Sequence, residues 1–198
     1  MDIDSRFINP EMATDLELLD KVDKAISITG TLGLTGGGDL STNRTISMLY
    51  PEYSYVATAI QTSTSNQYGD VTQMVTATLP VGFYMMDFSG VFQSSATATG
   101  IGVRLGSGTA TLGAINALWS ISQAANGTAQ LFTYNQLATN TNVTSASALA
   151  ANTDLSVIGN GVFQVTVAGA VAIQIRSETN NSAISIRPGS AVTIKKVG

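Results

Sequence analysis

The chain has 198 residues, a formal net charge of −4 and only 11% charged residues, with no His and no Cys. The missing types exclude a Ser-His-Asp triad, a Cys nucleophile, a disulfide and the usual zinc ligand sets. The acidic balance argues against nucleic acid as partner, and a chain that is 44% hydrophobic with so few charges predicts a β-rich protein that associates with itself.

Acidic residues crowd the start: seven of the 13 lie within the first 23 positions, which marks a boundary near residue 26. The opening Met1-Asp2-Ile3-Asp4-Ser5 is acidic and unlike a signal peptide, and no apolar run approaches the length of a membrane span. Residues 1–9 read as an extended tail with apolar anchors Ile3, Phe7 and Ile8. Asn9-Pro10-Glu11 is a helix start, with Asn as cap and Pro at the first helical position. Met12, Leu16, Leu19, Val22 and Ile26 then fall on one stripe of a helix of about four turns. Such a short helix is marginal alone. Its stripe needs a cover: copies of itself, a partner protein, or its own globular domain.

Residues 27–51 are short alternating fragments broken by glycine, including Gly36-Gly37-Gly38, and read as a Gly-rich β stalk. A phosphate loop would need a Lys and Ser/Thr after the glycines, and Asp39-Leu40 stands there instead. From residue 52 to 198 strands follow one another, near 53–60, 71–79, 82–92, 101–105, 114–122, 129–134, 153–158, 162–167, 170–176, 183–187 and 191–197. Asn126-Gly127, Asn160-Gly161, Asn180-Asn181 and Pro188-Gly189 are expected turns. Strands at this spacing predict an all-β antiparallel sandwich of jelly-roll type. The Asn/Thr/Ser/Ala-rich stretch 136–152 reads as a long surface loop.

Two strands say more. In Phe83-Tyr84-Met85-Met86-Asp87-Phe88 both faces are largely apolar, so one face is expected in the core and the other against a second subunit. Met85, Met86 and Phe88 are the candidates for that subunit interface. By contrast Val171, Ile173 and Ile175 alternate with Ala172, Gln174 and Arg176, as a strand with one polar face should.

Chemistry-bearing constellations are sparse. Beyond the N-terminal segment the acids are Asp39, Glu52, Asp70, Asp87, Asp154 and Glu178, none adjacent to another in sequence. That scatter predicts neither a glycosidase pair nor a calcium site, so no catalytic residue, metal or cofactor is expected. Trp119, the single tryptophan, and Tyr134 are candidates for a ligand face, with core or interface packing as the plainer reading of Trp119. Four Asn-X-Ser/Thr sequons fit a chain rich in these residues better than they fit glycosylation.

Ile28-Thr29-Gly30-Thr31-Leu32-Gly33-Leu34-Thr35-Gly36-Gly37-Gly38-Asp39-Leu40-Ser41-Thr42-Asn43-Arg44-Thr45-Ile46-Ser47 resembles a segment recurrent in tailed-bacteriophage fibre and virion proteins, where it links an attachment region to later modules. Leu79–Tyr84, Ala98–Val103, Phe163–Gln174 and Ala191–Gly198 resemble the tumour-necrosis-factor-like jelly rolls of phage minor structural proteins. Ala170 and Ala191 depart from that pattern, where Thr and a larger residue are common. The resemblance implies a trimeric virion protein, assembled in the host cytoplasm, and leaves three placements open: capsid decoration, short head fibre or tail-fibre tip. It implies phage capsid or tail proteins as partners of the segment 1–26, and host surface glycan as a further partner for a fibre tip. No membrane role is expected. A small attachment region and the lack of shaft repeats favour a decoration protein or short head fibre.

Overall fold

The computed structural model describes residues 52–123, 131–145 and 151–197, and within the first 51 residues the backbone of four two-residue strands. The chain divides into two units, Met1–Pro51 and Glu52–Gly198. The proposed tail anchors and helix stripe, from Ile3 to Ile26, lie outside the described residues.

In the first unit Ser27–Ile28 (β1) pairs antiparallel with Gly38–Asp39 (β3), and Leu34–Thr35 (β2) with Ser47–Met48 (β4). Two short ladders thus form where the sequence has alternating fragments between glycines.

The second unit is all-β and antiparallel, with no helix among its described residues. Its strands are Glu52–Val56 (β5), Gln61–Ser63 (β6), Gly69–Val75 (β7), Gly82–Ser94 (β8), Ile101–Gly106 (β9) and Thr111–Ser122 (β10). Leu131–Gln136 (β11), Leu155–Val167 (β12), Ala172–Ser177 (β13), Ile184–Ile186 (β14) and Ala191–Lys196 (β15) complete it. An eight-stranded sheet runs β11-β10-β12-β8 and then forks: β14 and β6 continue one branch, β15 and β5 the other. A three-stranded sheet runs β7-β13-β9. Buried side chains of both sheets join in a single apolar cluster, which is consistent with a β sandwich.

The fork has a local cause. One edge of β8 pairs with β12 from Gly82 to Phe92. Its other edge faces β15 over Tyr84–Ser89 and β14 over Phe92–Ser94. Between them the chain turns out at Pro188-Gly189, with Gly189 at φ 89°. The Ser190 hydroxyl fills the gap, accepting from Val91 N at 2.9 Å, while Arg187 N donates to Val91 O at 2.8 Å. The ladder therefore leaves no buried amide unpaired across the break.

Two sequence expectations change. Asn160-Gly161 is not a turn; the segments 153–158 and 162–167 are one 13-residue strand, β12. The glycines of this strand serve close packing instead: a Cβ at Gly159 would run into the Trp119 indole. The stretch 53–60 ends as a strand at Val56, because Thr58 N and Ala59 N leave the ladder to donate to Gln73 Oε1.

Candidate functional site

The outward face of the eight-stranded sheet is the first candidate surface. On β8, Tyr84, Met86 and Phe88 point into the core, where Tyr84 stacks on Phe163 at 5.4 Å and Phe88 packs on Trp119 at 5.7 Å. Met86 and Phe88 are thus core residues and cannot form a subunit interface, which corrects two of the three sequence candidates. Met85 remains, 53% exposed, with Phe83 beside it on the same face. Register mixes apolar and polar residues on this face: Met85 lies opposite Val162 on β12, the next row sets Asn160 between Asp87 and Leu118, and Ile158 follows one row further. The apolar side chains among these stand at least 42% exposed. A shallow depression of about 150 Å³ opens beside Met85, bounded by Glu52, Asp87, Thr193 and Lys195.

Trp119 and Tyr134, the two proposed ligand residues, face inward. Trp119 has no exposed surface. Its Nε1 donates to Gln136 Oε1 at 3.0 Å. The Tyr134 hydroxyl donates to the Val103 carbonyl, and burial pushes its pKa up. Trp119 cannot present its ring to a bound sugar, which corrects the expectation for that residue; Tyr134 is half-buried, with its hydroxyl taken by Val103.

Gln136 is the residue that sequence reasoning missed. It sits at the end of β11, fully buried, although the stretch 136–152 was expected to be surface loop. Its Oε1 accepts from Trp119 and from Leu105 N at 2.9 Å, and its Nε2 donates to Leu105 O at 2.6 Å and Ala138 O at 3.2 Å. All four bonding positions of the amide are filled. The side chain acts on Leu105 as a paired strand would, and ties the two sheets together.

The same edge of β9 is covered along its length. Ile101 exchanges bonds with Ser145, donating to its Oγ at 3.0 Å and accepting from its N at 2.8 Å. Val103 O is taken by Tyr134, and Leu105 by Gln136. An open edge strand is thereby closed by side chains and by the strap 137–145 rather than by another strand. Gly102 allows the strap so close: a Cβ there would crowd the Val143 carbonyl at 2.6 Å.

Beside the strap, on the outward face of the three-stranded sheet, lies a polar cluster. Register sets Gln174 of β13 between Asp70 of β7 and Arg104 of β9, with Arg176 two residues along. The Arg104 guanidinium lies 4.0 Å and that of Arg176 5.2 Å from the Tyr68 ring centre. Tyr68 Oη donates to Val143 O at 2.6 Å, and Arg104 Nη1 to Thr141 O at 3.0 Å, so the cluster also holds the strap. Arg104 Nε donates to Gln174 Oε1 at 2.8 Å, and Gln174 Nε2 to Asp70 Oδ1 at 2.7 Å. Burial, with the Arg176 charge adding, lowers the Arg104 pKa; burial raises that of Tyr68 against both arginines. Among the described residues no three His, Cys, Asp or Glu side chains gather as a metal site would require.

No protein-family model matches the chain, and no curated protein matches it.

Proposed function

We propose that the chain is a structural protein of a tailed-bacteriophage virion, without catalytic activity. In this reading its sandwich is a jelly roll and three copies associate. Residues 1–26 attach the trimer to the capsid as a decoration protein or short head fibre. The observation that carries self-association is the bare outward face of the eight-stranded sheet, where Phe83, Met85, Leu118, Ile158 and Val162 stay exposed in a chain poor in charge. Exposed apolar side chains grouped on one face in this way favour an interface over water. Phe83 and Met85 are already about half buried, so covering the rest of either contributes roughly 1 kcal/mol, and several such side chains together are needed to offset the entropy lost on association. The likeness of Ile28–Ser47 to phage virion segments supports the virion reading. A tail-fibre tip that binds host glycan is less favoured, because the single tryptophan, Trp119, is fully buried.

Two measurements test the proposal. Sedimentation equilibrium of the full chain is expected to give three times the 20.5 kDa protomer mass; a monomer overturns the association. Immunogold labelling of virions, with antibody against residues 52–198, is expected to mark the heads. Gold on the tails overturns the head placement, and unlabelled particles overturn the virion assignment.

A further inference from the structure

The Tyr68–Arg104–Arg176 cluster carries more positive charge than holding the strap requires. Two guanidinium groups share one ring in a chain whose net charge is −4. Like charges so close repel unless an anion sits between them. Asp70 offsets one of the two charges: its carboxylate accepts from the Gln174 that Arg104 holds and favours the charged Arg104, which leaves the cluster with one positive charge in excess. Among the described residues the ion pair found is Arg187 with Asp154, away from this cluster.

The hydrogen bonds are also incomplete. A guanidinium has five N–H donors. Arg104 bonds through Nε and Nη1, and Arg176 through Nη1 to Asn66 O at 3.1 Å. Arg176 Nε is buried with no acceptor at all. A buried orphan donor costs about 1–3 kcal/mol. A residue that served only to pin a carbonyl would avoid that cost: a neutral Gln donates as well and brings no second charge. The fork of an arginine is suited to a carboxylate, which it meets with two parallel bonds.

We propose that this cluster binds a carboxylate-bearing sugar, the two arginines gripping the carboxylate and the surrounding amides and hydroxyls reading the ring. The rim supplies the second half of that recognition. Asn66, Gln67 and Asn142 are exposed around it, with Thr141 and Gln174 half-buried. A neutral sugar is disfavoured, because the usual aromatic platform is taken: the guanidinium groups already lie over Tyr68. The site is independent of the self-association proposed above, since it lies on the other sheet.

The test uses the full chain, labelled with nitrogen-15, and follows the arginine Nε–H signals during titration with glucuronic acid. Saturable shifts of the Arg104 and Arg176 signals are expected, with none on titration with glucose. Added salt should weaken the binding. R104Q and R176Q should each weaken it about tenfold or more, as loss of a charge-assisted pair does. R176K keeps the charge without the fork and serves if either Gln variant unfolds; it too should bind more weakly. No saturable shift, or unchanged affinity in R176Q or R176K, overturns the site. Acetate binding as tightly as glucuronate makes it a bare anion hole and overturns the sugar assignment.

Discussion

The two sheets of the sandwich meet their surroundings in opposite ways. The outward face of the eight-stranded sheet carries exposed apolar side chains around Met85 and Val162, interspersed with Asp87, Asn160 and Lys195 and not covered by any other described segment of the chain. The outward face of the three-stranded sheet is polar, and the chain's own strap 137–145 is bonded along its β9 edge. The difference teaches that one fold can leave one surface for other copies and complete the other from within. Burial alone does not separate these roles. The hydrogen bonds do: the β9 edge of the strapped sheet is bonded at Ile101, Val103 and Leu105, and the bare face has mainly side-chain area to offer.

The comparison breaks most easily at Gln136. Replacement by Leu keeps the volume but strands Trp119 Nε1 and both backbone groups of Leu105. We expect a loss of about 3 kcal/mol or more, read as a lowered urea midpoint, and release of the strap seen as faster amide exchange at Ser145. Association through the bare face should persist as long as the variant stays folded.

Alkaline pH sharpens the contrast between core and surface next. Burial, with Tyr53 adding, raises the Tyr84 pKa from 10.0 to about 12, and Tyr68 and Tyr134 shift in the same direction. The folded state then holds these protons more tightly than the unfolded chain. Their stabilisation is complete below pH 10, the ordinary tyrosine value, and is lost as pH rises towards the folded pKa. Tyr84, whose hydroxyl is part-buried and bonded to the Pro80 carbonyl, should contribute to this fall. Urea titrations between pH 9 and 12 read this slope, and a flat profile would contradict the burial of these hydroxyls.

Filling the space over the indole is a smaller insult. Gly159→Ala forces Trp119 aside and should cost roughly 1–3 kcal/mol in thermal or urea unfolding. Smaller still for the protomer is Met85→Ser. The side chain is half exposed, so stability of the isolated protomer should move by no more than about 0.5 kcal/mol. The oligomer, in contrast, should loosen, with the sedimentation mass falling on dilution. A Met85→Ser chain that associates like the parent would move the interface off this face.

The sequence was legible where pattern and burial agree. Val171, Ile173 and Ile175 face inward and Gln174 and Arg176 outward, as their alternation predicts. It was ambiguous on β8, because both faces of Phe83–Phe88 are apolar and period-two alternation cannot say which is the inside. Partners decide it: Phe163 and Trp119 lie distant in sequence, and the first stacks on Tyr84 while the second packs at a tilt on Phe88. Asn160-Gly161 has the composition of a turn, yet it is strand because neighbouring β10 packs tightly on it. Gln136 and the Tyr68 cluster were not legible at all. A glutamine at the head of an Asn/Thr-rich run looks exposed, and nothing local brings it to Leu105, 31 residues earlier.

The position of β15 has a consequence for synthesis. It lies between β5 and β8, so the large sheet is zipped shut by the latest of the described strands to leave the ribosome. Until residues 191–196 emerge, β5 has no neighbour in that sheet and the start of β8 has one free side. Folding of this domain is thus held back until residues 191–196 have been made. A message cut short before this point yields a chain with an open β8 edge, one that quality control can tell from the finished product.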